Sequence, residues 1–371
     1  MKKNNLNASC FFLLACLFVN QLQAQNNNVA NQKSAPNLII ITTDGFRWQE
    51  VFNGMEDAIV NQKKFHQGDS SYLFNKYGGA TTQERREKLL PFFWNTIAKQ
   101  GQIYGNRIKN NKVDVANNQW FSYPGYSEIL TGYFDPAIQS NDYPPNPNSN
   151  LFAFLQKQES YKNKIAAFAA WNAFDRILNE KVSGFPVING TESISSILKD
   201  EQSILISNML RDSYQPWKEV ECLDVYTNYQ ALHYLKTKKP KAMFISFGET
   251  DEWAHHGDYN HYLDAAHQVD AYIKAIWDWA QSTPGYKDNT YILVTTDHGR
   301  GFNNEWTSHG ADVKGASSIW FALLGPNVKN IGALGEQTKE QQAFQKQLAA
   351  TMTKLIGYPF KAEHPVGEPI Y

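Results

Sequence analysis

The sequence has little cysteine, almost no net charge and almost no long apolar run. Only 3 of its 371 residues are Cys, which excludes a disulfide framework. Lys and Arg number 35 against 36 Asp and Glu, a formal net charge of −1. No basic balance therefore draws the chain to a nucleic-acid polymer or an anionic membrane surface. Hydrophobic residues make up 42% and charged residues 19%, an ordinary globular composition that excludes a disordered chain, a collagen and a coiled coil. This length fits one large α/β domain or two smaller ones.

The main apolar run lies near the start. Residues 10–19 match the hydrophobic segment of an export signal and are too short to cross a bilayer. Lys2 and Lys3 precede the run and Ala24 follows it. Residues 1–24 are therefore expected to be an export signal, and the Asn/Gln-rich residues 25–36 a polar leader. Leu13-Leu14-Ala15-Cys16 loosely resembles a lipoprotein box, but the apolar run continues through Leu17, Phe18 and Val19. Anchoring at Cys16 is thus the weaker alternative. Loss of the export signal would remove Lys2 and Lys3 with Cys10 and Cys16, and leave Cys222 as a lone thiol, expected to be buried. No other run is long enough for a membrane span, so the mature protein is expected to be periplasmic or secreted, without a transmembrane segment.

The rest of the chain alternates strand-like and helix-like segments. Asn37–Thr43 (NLIIITT) is a continuous β-branched and aliphatic run, and residues 164–170, 243–248, 291–296 and 318–324 look similar. Continuous rather than alternating apolar runs predict strands buried on both faces, as in a parallel sheet. Helical periodicity predicts helices near 88–100, 126–133, 151–158, 226–237, 259–281 and 338–356. The alternation predicts an α/β three-layer sandwich with a mostly parallel central sheet flanked by helices. Residues 172–225 interrupt the rhythm and are expected to form a small cap insertion in a catalytic domain spanning 37–371.

In such sheets ligands sit beyond the carboxyl ends of the strands. Asp44 follows the first apolar run, Asp251 and His255 follow the 243–248 run, Asp297 and His298 follow the 291–296 run, and His309 lies in the next loop. Asp251 and His255, four apart, share a helix face. Asp297 and His298 are adjacent, so they must lie beyond the strand, where Gly299 and Gly301 let the chain turn. Carboxylates with imidazoles and no thiolate suit zinc, manganese or iron in N/O coordination. Three Asp and three His are enough for two ions, which together stabilise the attacking and leaving oxygens of an in-line displacement. Ser122, in Phe121-Ser122-Tyr123-Pro124-Gly125-Tyr126, precedes a helix-like stretch. It is either a nucleophile placed at a helix N-terminus or a helix cap.

The ordered set Asp44, Ser122, Asp251-x-x-x-His255, Asp297-His298-Gly299 and His309-Gly310 resembles the alkaline phosphatase superfamily. Within it the pattern is most similar to the type I phosphodiesterase/nucleotide pyrophosphatase branch, over residues 37–325. The resemblance implies two zinc ions, one held by Asp251, His255 and His309 and the other by Asp44, Asp297 and His298. Ser122 would lie between them as nucleophile and metal ligand, its hydroxyl held by a metal as alkoxide. It also implies an Asn that holds a phosphoryl oxygen: Asn141 falls near that point, and Asn146, Asn148 and Asn150 stay open. The implied reaction is attack of Ser122 on phosphorus followed by hydrolysis of the phosphoserine. The implied partner is a small-molecule phosphate ester, with diesters or pyrophosphates slightly ahead of monoesters. Arg47 is a possible phosphate contact or the partner of a nearby carboxylate. A sulfatase pattern, Cys/Ser-x-Pro-x-Arg, fails here because Tyr126 stands where Arg is required. A phosphotransferase and a non-catalytic metal-binding protein are the remaining alternatives.

Overall fold

Seven successive side chains with nothing charged to turn toward water make a strand that must be covered on both faces. In the computed structural model, which describes residues 34–371 apart from 67, 69 and 335–340, Asn37–Thr43 (β1) is buried along its whole length. The expected export signal and most of the polar leader lie outside the described residues.

Ten further strands follow: Gln102–Tyr104 (β2), Asn111–Asp114 (β3), Ile165–Ala169 (β4), Val187–Asn189 (β5), Ala242–Phe247 (β6), Thr290–Thr295 (β7), Ser318–Ile319 (β8), Phe321–Leu324 (β9), Gly332–Ala333 (β10) and Gln341–Phe344 (β11). Helices of six residues or more are Trp48–Asn53 (α1), Ser70–Tyr77 (α2), Thr82–Leu89 (α3), Ser122–Thr131 (α4), Leu151–Gln156 (α5), Glu201–Asp212 (α6), Asp224–Lys238 (α7), Glu249–His255 (α8), Tyr259–Ser282 (α9) and Leu348–Leu355 (α10). The central sheet runs β10-β2-β9-β7-β1-β6-β4-β5. Its core, from β7 to β5, is parallel, and β9 is antiparallel to both neighbours. This is the predicted sandwich with a mostly parallel sheet. Ile39, Ile41, Met243, Ile245 and Val294 pack on one face with Leu235 of α7 and Leu263 and Ile273 of α9. On the other face the Phe152 ring of α5 meets Phe244, and α10 lies beside α4 and β7.

Register then decides what the strand ends deliver. Thr43 of β1 pairs with Phe247 of β6, and Thr42 with Thr295 of β7. The three central strands thus end at one level, and the residues just after them emerge together. Residues 172–225 include β5 at the sheet edge and α6, and return at a bridge between Trp171 and Glu221.

Three predicted elements differ. The 318–324 run is two strands: β8 joins β3 and β11 in a small second sheet, while β9 stays in the main one. The expected 338–356 helix begins only at α10. Before it, β11 pairs with β3 from Gln341↔Asn111 to Phe344↔Asp114, so inter-strand hydrogen bonding overrides the helical periodicity. The expected 88–100 helix is broken: α3 ends at Leu89 and Pro91, which lacks an N–H, starts a new turn. The free N–H groups of Phe92 and Phe93 there donate to both carboxylate oxygens of the buried Asp270 on α9, at 2.7 and 2.9 Å.

Burial pushes the Asp270 carboxyl up to about 7, against the pull of its two N–H donors. A carboxyl raised on folding contributes stability that is complete below its unfolded pKa and is lost as pH rises through its folded one. Wild type is therefore expected to lose stability between about pH 4 and pH 7, and Asp270→Asn to flatten that part of the profile in urea titrations. Asp270→Ala orphans two buried N–H groups and is expected to cost about 2–4 kcal/mol.

Candidate active site

Each carboxylate is aimed by a donor of its own. Asp44 leaves β1 with its N–H on the Phe247 carbonyl at 2.9 Å. Gly45 then turns the chain at φ +56, and its N–H donates to Asp297 Oδ1 at 3.0 Å. Tyr126 of α4 donates to Asp44 Oδ2 at 2.9 Å. Asp44 Oδ1 and Asp297 Oδ2 are both buried with no donor. On α8, Arg300 donates to Asp251 Oδ1, and Asp251 Oδ2 lies 3.0 Å from His255 Nε2. One oxygen of Asp44 and one of Asp297 are thus taken by the protein and the other is left over, while both oxygens of Asp251 are engaged.

The imidazoles follow the same logic. His298 donates from Nδ1 to the Gly299 carbonyl at 2.9 Å, so its Nε2 lone pair faces inward. That Nε2 is 3.3 Å from Asp44 Oδ1, 3.4 Å from Asp297 Oδ2 and 3.4 Å from Ser122 Oγ. His309 donates from Nδ1 to the Trp120 carbonyl at 3.3 Å, and its Nε2 is 3.0 Å from that of His255. His298 Nε2 faces the undonated oxygens of Asp44 and Asp297, and His255 and His309 turn Nε2 toward each other, a convergence of ligand atoms that fits a divalent cation. Among the described residues two groups have ligand atoms all within 4.8 Å of one another: Asp251, His255 and His309, and Asp44, Asp251 and His298. Asp251 belongs to both and Asp297, expected beside Asp44 and His298, to neither, although its Oδ2 lies 3.4 Å from His298 Nε2.

Charge confirms how crowded the pocket is. Burial, then the Asp251 carboxylate, raises Asp44 well above its ordinary pKa. Burial, then Asp44, does the same to Asp297. Burial also opposes the Asp251 charge, but Arg300, His255 and His309 outweigh it and hold that carboxyl well below the usual range. Burial and the neighbouring His298 push His309 down to about 2.

Ser122 is the first residue of α4; Phe121 stands before it, with no side-chain cap. Ser122 therefore does not cap its helix, and its buried hydroxyl points at His298 instead. Trp120, with φ +53, makes the turn into it, held by Asn117 Oδ1, which accepts the Gln119 and Trp120 N–H groups. Asn141 Oδ1 accepts the Tyr123 N–H at 2.9 Å, one residue after Ser122. Asn146 is bonded to Ser127, Asn148 to Asp135, and Asn150 to Leu178, Ser183 and Ala153. Of the four Asn residues only Asn141 touches the backbone beside Ser122.

Arg47 is buried between Glu50 and Glu56 and donates to the Gly301 carbonyl, so it is a carboxylate partner. His256 bonds the Glu252 carbonyl and His261 bonds Asp258. Three contributors went unread in the sequence: Arg300, whose only signal was its place after Asp297-His298-Gly299; Tyr126 as partner of Asp44; and Arg176, whose guanidinium contacts the Asn141 and Tyr143 carbonyls. Glu221, buried with one oxygen unpartnered, is a fourth.

The sequence model of the metalloenzyme superfamily matches residues 19–359. The chain belongs to this superfamily. Comparison with curated proteins finds no match. Among solved structures, the lipoteichoic acid synthase LtaP from Listeria monocytogenes is similar in fold, at 14% identity and a TM-score of 0.56, over 90% of this chain and 75% of that one. The 2-O GAG sulfatase BT1596 aligns at 15% identity and a TM-score of 0.55, covering 91% and 73%. The phosphonate monoester hydrolase of Agrobacterium radiobacter aligns at 12% and 0.53, covering 90% and 76%. These likenesses establish a shared alkaline phosphatase-like fold, and the chain is an enzyme of the metalloenzyme superfamily with an acidic/His site of the kind that holds metal.

A Cβ at Gly45 would collide with Asp251 Oδ1 and come within 2.8 Å of Arg300 Nη1, at a positive φ. Gly45→Ala is expected to destabilise the fold by about 1–3 kcal/mol, seen as a lower melting temperature; an unchanged melt would show that the pocket yields there.

Proposed function

We propose that this metalloenzyme is an exported two-metal phosphoric-ester hydrolase that works through Ser122. The observation that carries the reading is the Ser122 hydroxyl, free of any capping role and 3.4 Å from His298 Nε2 at the mouth of the carboxylate pocket. In this reading Asp251, His255 and His309 hold one divalent ion, and Asp44, Asp297 and His298 hold another, zinc in both cases. Such ions supply positive charge that activates an alcohol and offsets charge on the attacking and leaving oxygens.

The chain's own groups do the rest. Ser122 Oγ attacks phosphorus in line as its proton passes to solvent, and the bond to the leaving oxygen breaks with its electron pair, that oxygen taking up a proton from water. Water then displaces Ser122 from the phosphoserine and regenerates the hydroxyl. The Tyr123 N–H, already given to Asn141 Oδ1, is not free for the phosphoryl group. The Asn141 amide N–H₂ takes that role, held in place by the same bond. Residues 1–24 act as the export signal, and 172–225 border the site as an insertion in the 37–371 catalytic domain.

Diesters or pyrophosphates remain the reading favoured by the motif pattern. One observation favours a monoester: Arg176 donates to the Tyr143 carbonyl at 2.5 Å and to that of Asn141 at 3.4 Å. Carbonyls leave its charge uncancelled next to Asn141 and 5.8 Å from the ring of Tyr123, the residue after the nucleophile, which suits a dianion. A phosphonate monoester hydrolase among the fold neighbours supports phosphorus chemistry. The sulfatase neighbour keeps sulfate esters as the rival, against which Tyr126 stands.

The test is turnover of an aryl phosphate monoester and of the matching diester, with zinc supplied. Ser122→Ala is expected to lower kcat about a thousand-fold or more on either ester while zinc content stays unchanged. Full activity in that variant would overturn the assignment. Arg176→Ala is expected to lower kcat/KM about ten-fold on the monoester and to spare the diester; equal losses on both would remove the monoester reading.

A further inference from the structure

The two ligand groups differ in one respect that their residue types do not reveal. Asp44 and Asp297 bring two carboxylates, each with a buried oxygen that no donor meets. The Asp251, His255 and His309 group brings one carboxylate, which it shares with the group at Asp44 and His298, and a guanidinium is already on it. Arg300 sits on Oδ1, the oxygen that lies 3.7 Å from both His298 Nε2 and His309 Nε2. It thereby takes the oxygen best placed to be shared between the groups and leaves Oδ2 alone to the second. Its Nη2 also stands 3.4 Å from His255 Nδ1.

Arg300 cannot easily turn away. It is buried, its Nε donates to the Trp306 carbonyl at 2.8 Å, and its Nη2 donates to that of Thr307 at 2.6 Å. Those carbonyls belong to the turn that leads to His309. The same side chain that orders Asp251, His255 and the His309 loop therefore places a permanent positive charge against them. An arginine does not lose its proton in a protein, and like charges repel.

We infer that Arg300 makes the two metal sites unequal: the Asp251–His255–His309 site binds its ion more weakly and exchanges it, while the Asp44–Asp297–His298 site holds its ion firmly. This rests on the two-metal reading above. Arg300 acts here as a positioning residue that also sets affinity.

The experiment is zinc titration of the full-length, chelator-stripped protein in competition with a chromophoric chelator. Wild type is expected to take up two equivalents, the second at least about ten-fold more weakly than the first. His255→Ala is expected to remove the weak step and keep the tight one. Arg300→Gln, which keeps a donor but drops the charge, is expected to tighten the weak step and narrow the gap. Two equivalents of indistinguishable affinity, or loss of the tight step in His255→Ala, would overturn this inference and leave the two-metal reading standing. Uptake of one equivalent at saturation would overturn both. A gap unchanged in Arg300→Gln would overturn the role of Arg300; if that variant does not fold, Arg300→Met is the second neutral variant read in the same way.

Discussion

Three carboxylates and three imidazoles share one pocket, buried at Asp44, Asp297 and His298 and open to water at His255, and the rest of the structure serves to hold them there. Burial and mutual repulsion push Asp44 and Asp297 toward their neutral forms. Such a cluster persists only where each group is individually restrained and a positive charge is at hand. Tyr126, the Gly45 N–H and Arg300 provide the restraint by each engaging one carboxylate oxygen. The Gly299 and Trp120 carbonyls do the same for His298 and His309. What is left over is an inward set of lone pairs, which is why a divalent cation suits the pocket.

The sheet makes that convergence possible at little local cost. β1, β6 and β7 are neighbours in register, so their ends need only one or two more residues to meet. Gln345 reinforces the edge by donating to the Thr296 and Asp297 carbonyls at 3.0 and 2.7 Å. The loop into Ser122 is held from beneath by Glu128, which accepts N–H groups from Ala116, Asn117 and Lys346. A buried carboxylate with several backbone donors is a rigid support, and here it stabilises a turn containing the positive φ of Trp120.

Much of this was legible in the sequence because it depends on short-range pattern. Continuous apolar runs identified β1, β4, β6 and β7, and the acidic and histidine residues after them were found by position alone. Asn141 was separable from its Asn neighbours only in three dimensions, since all four sit in one polar loop. Arg300 and Tyr126 were unreadable for a related reason. An arginine after a glycine and a tyrosine inside a helix are common, and their meaning comes from partners far away in sequence. The breaks at Pro91 and in the 338–356 segment have the same origin: Asp270 and β3 supply long-range hydrogen bonds that local periodicity cannot weigh.

Helix α4 adds a coupling that pattern does not show. Ser122 and Tyr126 are four residues apart, one turn, and so lie on one face of the helix. Tyr126 bonds Asp44 and accepts from Ser246 Oγ at 3.1 Å, which in turn accepts from Thr42 at 2.9 Å. A chain of hydroxyls thus runs from β1 through β6 to the helix that begins with Ser122. Gly125, between them, lets the helix pack directly against the Asp297 carbonyl, where any Cβ would collide. The hydroxyl and two of the carboxylates are therefore set by the seating of a single helix. A shift of α4 would move Ser122, release one oxygen of Asp44 and loosen Asp297 together. The geometry proposed to drive the reaction is for that reason a property of one helix–sheet contact, and each of its side chains depends on the others for its place.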